Sequence, residues 1–125
     1  MDELNVIKMI NQMIYHCSGE DIKHGNLPIR ISLKDNMSVY INLLNNNILF
    51  SGSLCYPSNE PIIYYSQLPM IDEWSISGIN LESIFLLRVG AGNYILSALV
   101  ELCNINDWRD LYASLNSFHK LLVKF

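Results

Sequence analysis

The sequence is short of charged residues. Only 16% of its 125 residues are Asp, Glu, Lys or Arg, against about 25% in typical soluble domains, while 50% are hydrophobic. Because so few charges remain to cover the surface, the composition predicts an exposed apolar interface. The eight basic residues are scattered singly and the net charge is −4, so the chain lacks the basic patch that nucleic-acid binding needs.

Membrane, targeting and disulfide signals are also missing. No run approaches the roughly 18 apolar residues of a membrane span, and the acidic start Met1-Asp2-Glu3 argues against a secretory signal or a mitochondrial presequence. Three cysteines, Cys17, Cys55 and Cys103, are far apart and odd in number. We therefore expect a cytoplasmic protein whose cysteines are reduced core thiols.

Catalytic and metal-binding motifs are weak. The G-A-G segment at 90–92 lacks the third glycine of a dinucleotide-binding loop and is followed by a strand, so it is interpreted as a hairpin turn. The three histidines have no partners at metal-binding spacing, and no two cysteines form C-x-x-C. The sequence therefore predicts no enzyme activity, no metal and no cofactor.

A hairpin of two apolar strands organises the C-terminal half of the chain. Segment 82–103 has apolar residues at nearly every position of both arms, with Gly and Asn at the turn. A strand with one wet face would alternate, so the hairpin is expected to be covered on both faces. The C-terminal helix is one predicted cover. The other is either a second part of this chain or another molecule.

Three shorter strands are predicted before the hairpin, over residues 29–34, 39–44 and 48–55. Asp35-Asn36 and the Asn45–Asn47 run are the turns between them. Strands one short turn apart favour an antiparallel meander. Gly52 lies inside the third strand, where a glycine is typical of a bulge.

An N-terminal helix is predicted over residues 3–17, with an apolar face wider than the roughly 100° stripe of an ordinary surface helix. Two neighbouring stripes make up this face: Ile7, Ile10, Ile14 and Cys17, and beside them Val6, Met9 and Met13. Either both stripes pack in a deep groove of the chain's own domain, or the second faces a partner. Methionine suits the second role because its flexible thioether adapts to varied surfaces.

A middle helix is predicted over residues 61–74, where apolar residues lie all the way round. A helix without a polar face is buried on every side, so we expect one side to cover the sheet and the other to meet a second copy of the chain. Pro69 predicts a kink or two short helices. The residues assigned to this dimer interface are Ile62, Tyr65, Leu68, Met70 and Trp74.

The last helix is predicted after a capping segment, Asn104 to Asp107, because apolar residues then recur at three- and four-residue spacing as far as Phe125. The predicted order is α-β-β-β-α-β-β-α. It describes a single α+β domain over residues 1–125, with an antiparallel sheet packed against helices.

This order resembles the class I type III secretion chaperones, the CesT/Tir-chaperone family. Three segments carry the resemblance: residues 39–57, similar to two strands and a proline-marked entry to a middle helix; residues 83–101, similar to the paired strands that follow; and residues 107–125, similar to the amphipathic final helix. Pro69 departs from the family pattern, in which the middle helix is smooth.

The resemblance implies a bacterial, cytoplasmic, non-enzymatic chaperone that uses no nucleotide. Such proteins dimerise, with a second copy or a homologous subunit, and bind the extended N-terminal segment of a secreted effector, which stays soluble and competent for secretion. The effector's apolar side chains would lie in grooves between the first helix and the sheet, and a short effector strand could pair with a sheet edge. The implied contact residues are Val6, Met9, Met13, Ile29 and Ile31.

An immunity protein that neutralises a bacterial toxin is the alternative, since such proteins are also small, acidic and non-catalytic. An inhibitor of a nuclease would be expected to cluster its acidic residues against a basic active site. The twelve Asp and Glu residues of this chain are dispersed, which favours the chaperone.

Overall fold

The structure is a computed structural model, and it describes residues 3–21, 23–33, 37–55, 83–90 and 93–124. These residues form two helices, five strands and a short 3-10 turn at Leu102–Asn104. The elements are α1 (Glu3–Ser18), β1 (Ile29–Ser32), β2 (Ser38–Leu44), β3 (Asn47–Cys55), β4 (Ser83–Gly90), β5 (Asn93–Glu101) and α2 (Trp108–Lys124).

The five strands form one antiparallel sheet in the order β1-β2-β3-β5-β4. The α+β class, the meander of the first three strands and the apolar hairpin are therefore confirmed. Asn45 adopts a left-handed φ of 55° in the turn between β2 and β3, a conformation that asparagine tolerates better than most residues. The turn predicted from the Asn45–Asn47 run is therefore confirmed.

The strand register divides the sheet into two faces. Side chains alternate along a strand, and four rows of the register place the buried apolar residues of the sheet on the face that carries the helices. One such row contains Ile31, Val39, Gly52 and Leu96. The next row belongs to the opposite side, here called the outer face, and contains Arg30, Tyr40, Ser51 and Ser97.

Helix α2 lies against the middle of the sheet. A Cβ built on Gly52 would lie 2.9 Å from both Cδ atoms of Leu122, so the side chain of Leu122 occupies the space that a larger residue would need at this position. The bulge predicted at Gly52 is wrong, since β3 pairs in continuous register on both sides; the irregularity in the described sheet lies between Arg88 and Gly90. The predicted cover of the hairpin by the C-terminal helix is confirmed by its contacts with β5.

Helix α1 packs against α2 and belongs to the same core as the sheet. Its second stripe is as buried as its first: Val6, Met9 and Met13 are 0%, 6% and 2% exposed. The interpretation that this stripe faces outward to a partner is therefore wrong for the chain on its own. The wide apolar face is explained by burial in the chain's own core, where α1 packs against α2, which was the other interpretation of the sequence.

The predicted middle helix lies outside the described residues. Its proposed dimer contacts, Ile62, Tyr65, Leu68, Met70 and Trp74, lie there too, as does the break expected at Pro69. The dimer expected from them stays a prediction.

Candidate functional site

A groove of about 450 Å³ opens between the end of α1, strand β1 and the first turns of α2. We call it the α1–β1 groove. Its apolar lining comes from Met13, Ile14, Ile31, Leu33, Tyr112 and Leu115, and its polar lining from Cys17, Ser18, Glu20, His24, Arg30 and Ser32. The floor is therefore apolar and the rim polar, which is the usual make-up of a site that buries an apolar group and orients it with a few polar contacts.

The chain that follows α1 forms one wall of this groove. Gly19, with a φ of 73°, ends the helix as a left-handed residue, and its N–H donates to the carbonyl of Tyr15 at 2.9 Å. Asn11 then fixes the returning segment at two points: its Nδ2 donates to the carbonyl of His24 at 3.1 Å, and its Oδ1 accepts from the N–H of His24 at 3.0 Å. The wall is thus held by a side chain from the middle of the helix.

Strand β1 forms the opposite wall and is an edge of the sheet that the described residues form, where it pairs with β2 on one side. The N–H of Leu33 donates to the carbonyl of Met37 at 2.7 Å, so the backbone groups of Leu33 point toward the chain that leads into β2. In an antiparallel pair every second residue points its backbone groups toward the neighbouring strand, so those of Ile31 also point toward β2. Arg30 and Ser32 therefore turn their N–H and C=O groups outward, as the template for another strand.

The third wall comes from the start of α2. Asp107 caps this helix, as the sequence predicted: its Oδ1 accepts from the N–H groups of Arg109 at 2.9 Å and Asp110 at 3.3 Å. Trp108 stacks on His16 with ring centroids 4.5 Å apart and planes 7° from parallel. The end of α1 and the start of α2 are thereby held together beside the groove.

The predicted contact residues divide between the core and the groove. Ile29 is 2% exposed and lies in the core, with Val6 and Met9. Met13 and Ile31 line the α1–β1 groove. A partner contact through Ile31, which is half-buried, remains a prediction that the geometry allows. Met13 is 2% exposed and is covered in the unbound chain like Ile29, Val6 and Met9.

The cysteines correct a sequence-based expectation. Cys17 and Cys103 were predicted to be buried, but both are exposed. Cys17 lies in the last turn of α1, beyond the buried part of the helix, where partial burial in the groove wall raises the pKa of its thiol. Cys103 lies in the turn after β5, and its Sγ donates to the carboxylate of Glu101 at 3.3 Å.

Sequence reasoning missed two contributions to the groove. Tyr112 and Leu115 were recognised only as members of the apolar face of the last helix, yet both line the groove, and Tyr112 remains 40% exposed. No local signal separates them from core residues, because their role depends on where α1 ends.

The part of the chain that the structure describes shows neither a metal site nor a membrane-spanning helix. No group of three or more His, Cys, Asp or Glu side chains there is placed to hold a metal ion. No described helix is both long and apolar enough to cross a membrane.

No protein-family model and no curated protein matches this chain. A solved structure does: that of YbjN, described as "a putative transcription regulator from E. coli". The two structures superpose with a TM-score of 0.59 at 15% sequence identity, over 91% of this chain and 84% of that one. This chain therefore has the fold of YbjN.

Proposed function

We propose that this protein is a cytoplasmic type III secretion chaperone that binds an extended segment of a secreted effector. The observation that carries the proposal is the α1–β1 groove, in which an apolar floor lies directly beside the outward-facing backbone of an edge strand. Together these are the two elements needed to bind a chain in extended conformation. The element order that resembles this chaperone family supports the same proposal.

Binding would add a strand to the sheet. The backbone of the effector segment would form hydrogen bonds with the backbone of Arg30 and Ser32. These bonds do not depend on the sequence of the segment. Every second side chain of the segment would point to the helix side of the sheet, where the groove takes an apolar one. Burying a Leu or Phe side chain contributes about 1.5–3 kcal/mol, so one groove gives weak binding and a longer segment must contact more of the chaperone.

A dimer is part of the proposal. Two copies, or one copy and a homologous subunit, would present two grooves to one effector segment, and linked weak contacts raise the overall affinity. We expect light scattering to give about twice the chain mass of 14.3 kDa. A folded monomer at high micromolar concentration would contradict the proposed dimer and the interface contacts assigned to residues 61–74.

Transcription regulation, the role ascribed to YbjN, is not favoured for this chain. DNA binding depends on neutralising phosphates with clustered Lys and Arg, and the net charge here is −4 with eight basic residues. The fold is shared at too low a sequence identity to transfer a role.

The proposal is tested first in the bacterium that encodes the protein. Deleting the gene should remove one or a few proteins from the type III secreted fraction, measured by quantitative mass spectrometry, without changing their transcripts. A wild-type copy should restore secretion. An unchanged secreted fraction, or a deletion tolerated only when a neighbouring toxin gene is also deleted, would refute the chaperone; the second result would support the immunity protein.

The second test locates the contact, and the chain supplies its own control. Cys17 lines the groove and Cys103 lies in a separate pocket beside the end of β5. In a Cys55→Ser variant, a bound effector segment should slow maleimide labelling of Cys17 and leave Cys103 unchanged. Equal protection of both thiols, or of neither, would show that the segment binds elsewhere.

A further inference from the structure

The outer face of the sheet carries a second pocket at the same edge. It has a volume of about 310 Å³ and is lined by Arg30, Met37, Ser38, Tyr40 and Ser53; we call it the outer pocket. Arg30 is fixed there because its Nε donates to the Oγ of Ser38 at 3.1 Å. The planar guanidinium keeps its Nη groups for a second partner, and this geometry matches a carboxylate.

No carboxylate of the chain takes that place among the described residues. The ion pair found in the described part joins Arg109 to Asp107, at the start of α2. Arg30 itself is exposed. Arg30 also borders the α1–β1 groove, where Glu20 and His24 lie on the rim. The guanidinium is therefore placed at the edge between the groove and the outer pocket.

A strand added to β1 would meet both sides at once, because its side chains alternate between the faces. The residue directly opposite Arg30 or Ser32 falls on the outer face, since opposed residues of paired strands point the same way. Its two neighbours fall on the helix side, above the groove. One residue of the bound segment is thus next to the guanidinium, and an adjacent residue is next to the apolar floor.

We propose that the bound segment carries an Asp or Glu immediately next to its apolar anchor, and that Arg30 selects it. The inference rests on the proposed strand addition at β1 and specifies the chemistry of the ligand. The acidic side chain pairs with Arg30 over the outer pocket, where Ser38, Ser53 and Tyr40 offer hydroxyl groups.

The test uses 12-residue peptides displayed on phage and selected on the purified protein. Peptides from the wild-type selection should have Asp or Glu enriched next to a large apolar residue. Peptides selected on the Arg30→Glu variant should instead have Lys or Arg enriched at that position. Arg109→Gln is the matched control, an exposed arginine that does not line the groove, and it should select as wild type does.

Affinities of one selected synthetic peptide complete the test. By fluorescence polarisation, Arg30→Gln should weaken binding about fivefold, the upper end for an exposed ion pair. Replacing the peptide's Asp with Asn should weaken it by the same factor, and combining both changes should add nothing further. Peptides that protect Cys17 but show no acidic preference would overturn this inference and leave the proposed function intact. If no selected peptide protects Cys17, both are overturned.

Discussion

Replacing Gly52 with alanine is expected to destabilise the fold, although alanine normally favours a strand over glycine. The new Cβ would lie 2.9 Å from both Cδ atoms of Leu122, whereas carbon atoms pack best about 3.5–4.0 Å apart. Leu122 is 1% exposed, so it can move only by displacing its neighbours. Such overpacking costs about 1–3 kcal/mol. The backbone gain of about 0.5–1 kcal/mol offsets part of it, which leaves a net loss of up to about 2.5 kcal/mol.

Removing Leu122 should reverse the sign of that effect. Leu122→Ala alone opens a cavity and costs about 2–5 kcal/mol. In that background the methyl group of Gly52→Ala enters vacated space, so the overpacking disappears and the backbone gain remains. The double-mutant cycle should therefore give a coupling energy of about 1–3 kcal/mol in favour of the double variant.

Urea unfolding of the four proteins, with equal m-values, provides the free energies of unfolding for this cycle. Gly25→Ala is the matched control, because its Cβ would meet nothing within 4 Å. If Gly52→Ala behaves like Gly25→Ala, or costs the same with and without Leu122, then α2 does not pack on β3 as described.

Three further predictions follow from the described contacts. Met13→Asp should lower the melting temperature sharply, since a buried unpaired carboxylate costs several kcal/mol, while Leu4→Asp, at a position 74% exposed, should not; equal melting temperatures would contradict the burial of α1. Cys17 and Cys103, both exposed, should react with a thiol reagent without denaturant, and because burial raises the pKa of Cys17, its labelling midpoint should lie at higher pH in the native protein than in urea. Asn11→Ala removes both hydrogen bonds to the segment after α1 and should cost about 1–3 kcal/mol in urea unfolding; a loss below about 0.5 kcal/mol, within the range of neutral surface changes, would show that this wall of the groove is held by other contacts.

The sequence predicted what depends on near neighbours in the chain. The strands β1 and β2 were predicted from the alternation of apolar residues, and α2 from their spacing of three and four. The turn before β3 was predicted from its asparagines. The segment from Asn104 to Asp107 was predicted to cap the last helix because short polar side chains favour that position. The α+β class follows from the order of such elements, and the structure confirms it.

The same local signals could not say what each apolar face touches. The sequence shows how wide the apolar face of α1 is. It does not show that Val6 and Met9 are buried in the core, because this depends on packing against α2, about a hundred positions away. Gly52 illustrates the same limit: a glycine in a strand is typical of a bulge or of a close approach, and only the position of Leu122 decides between them.

By itself, then, the sequence determined the elements, their order and the apolar face of each, because these depend on the local period of hydrophobic residues. The tertiary structure decided that β1 is an edge strand, that Cys17 lies in a groove wall rather than in the core, and that Arg30 borders both this groove and the outer pocket. Strand order and helix placement are set by packing between distant segments, and a groove exists only where those segments leave a space.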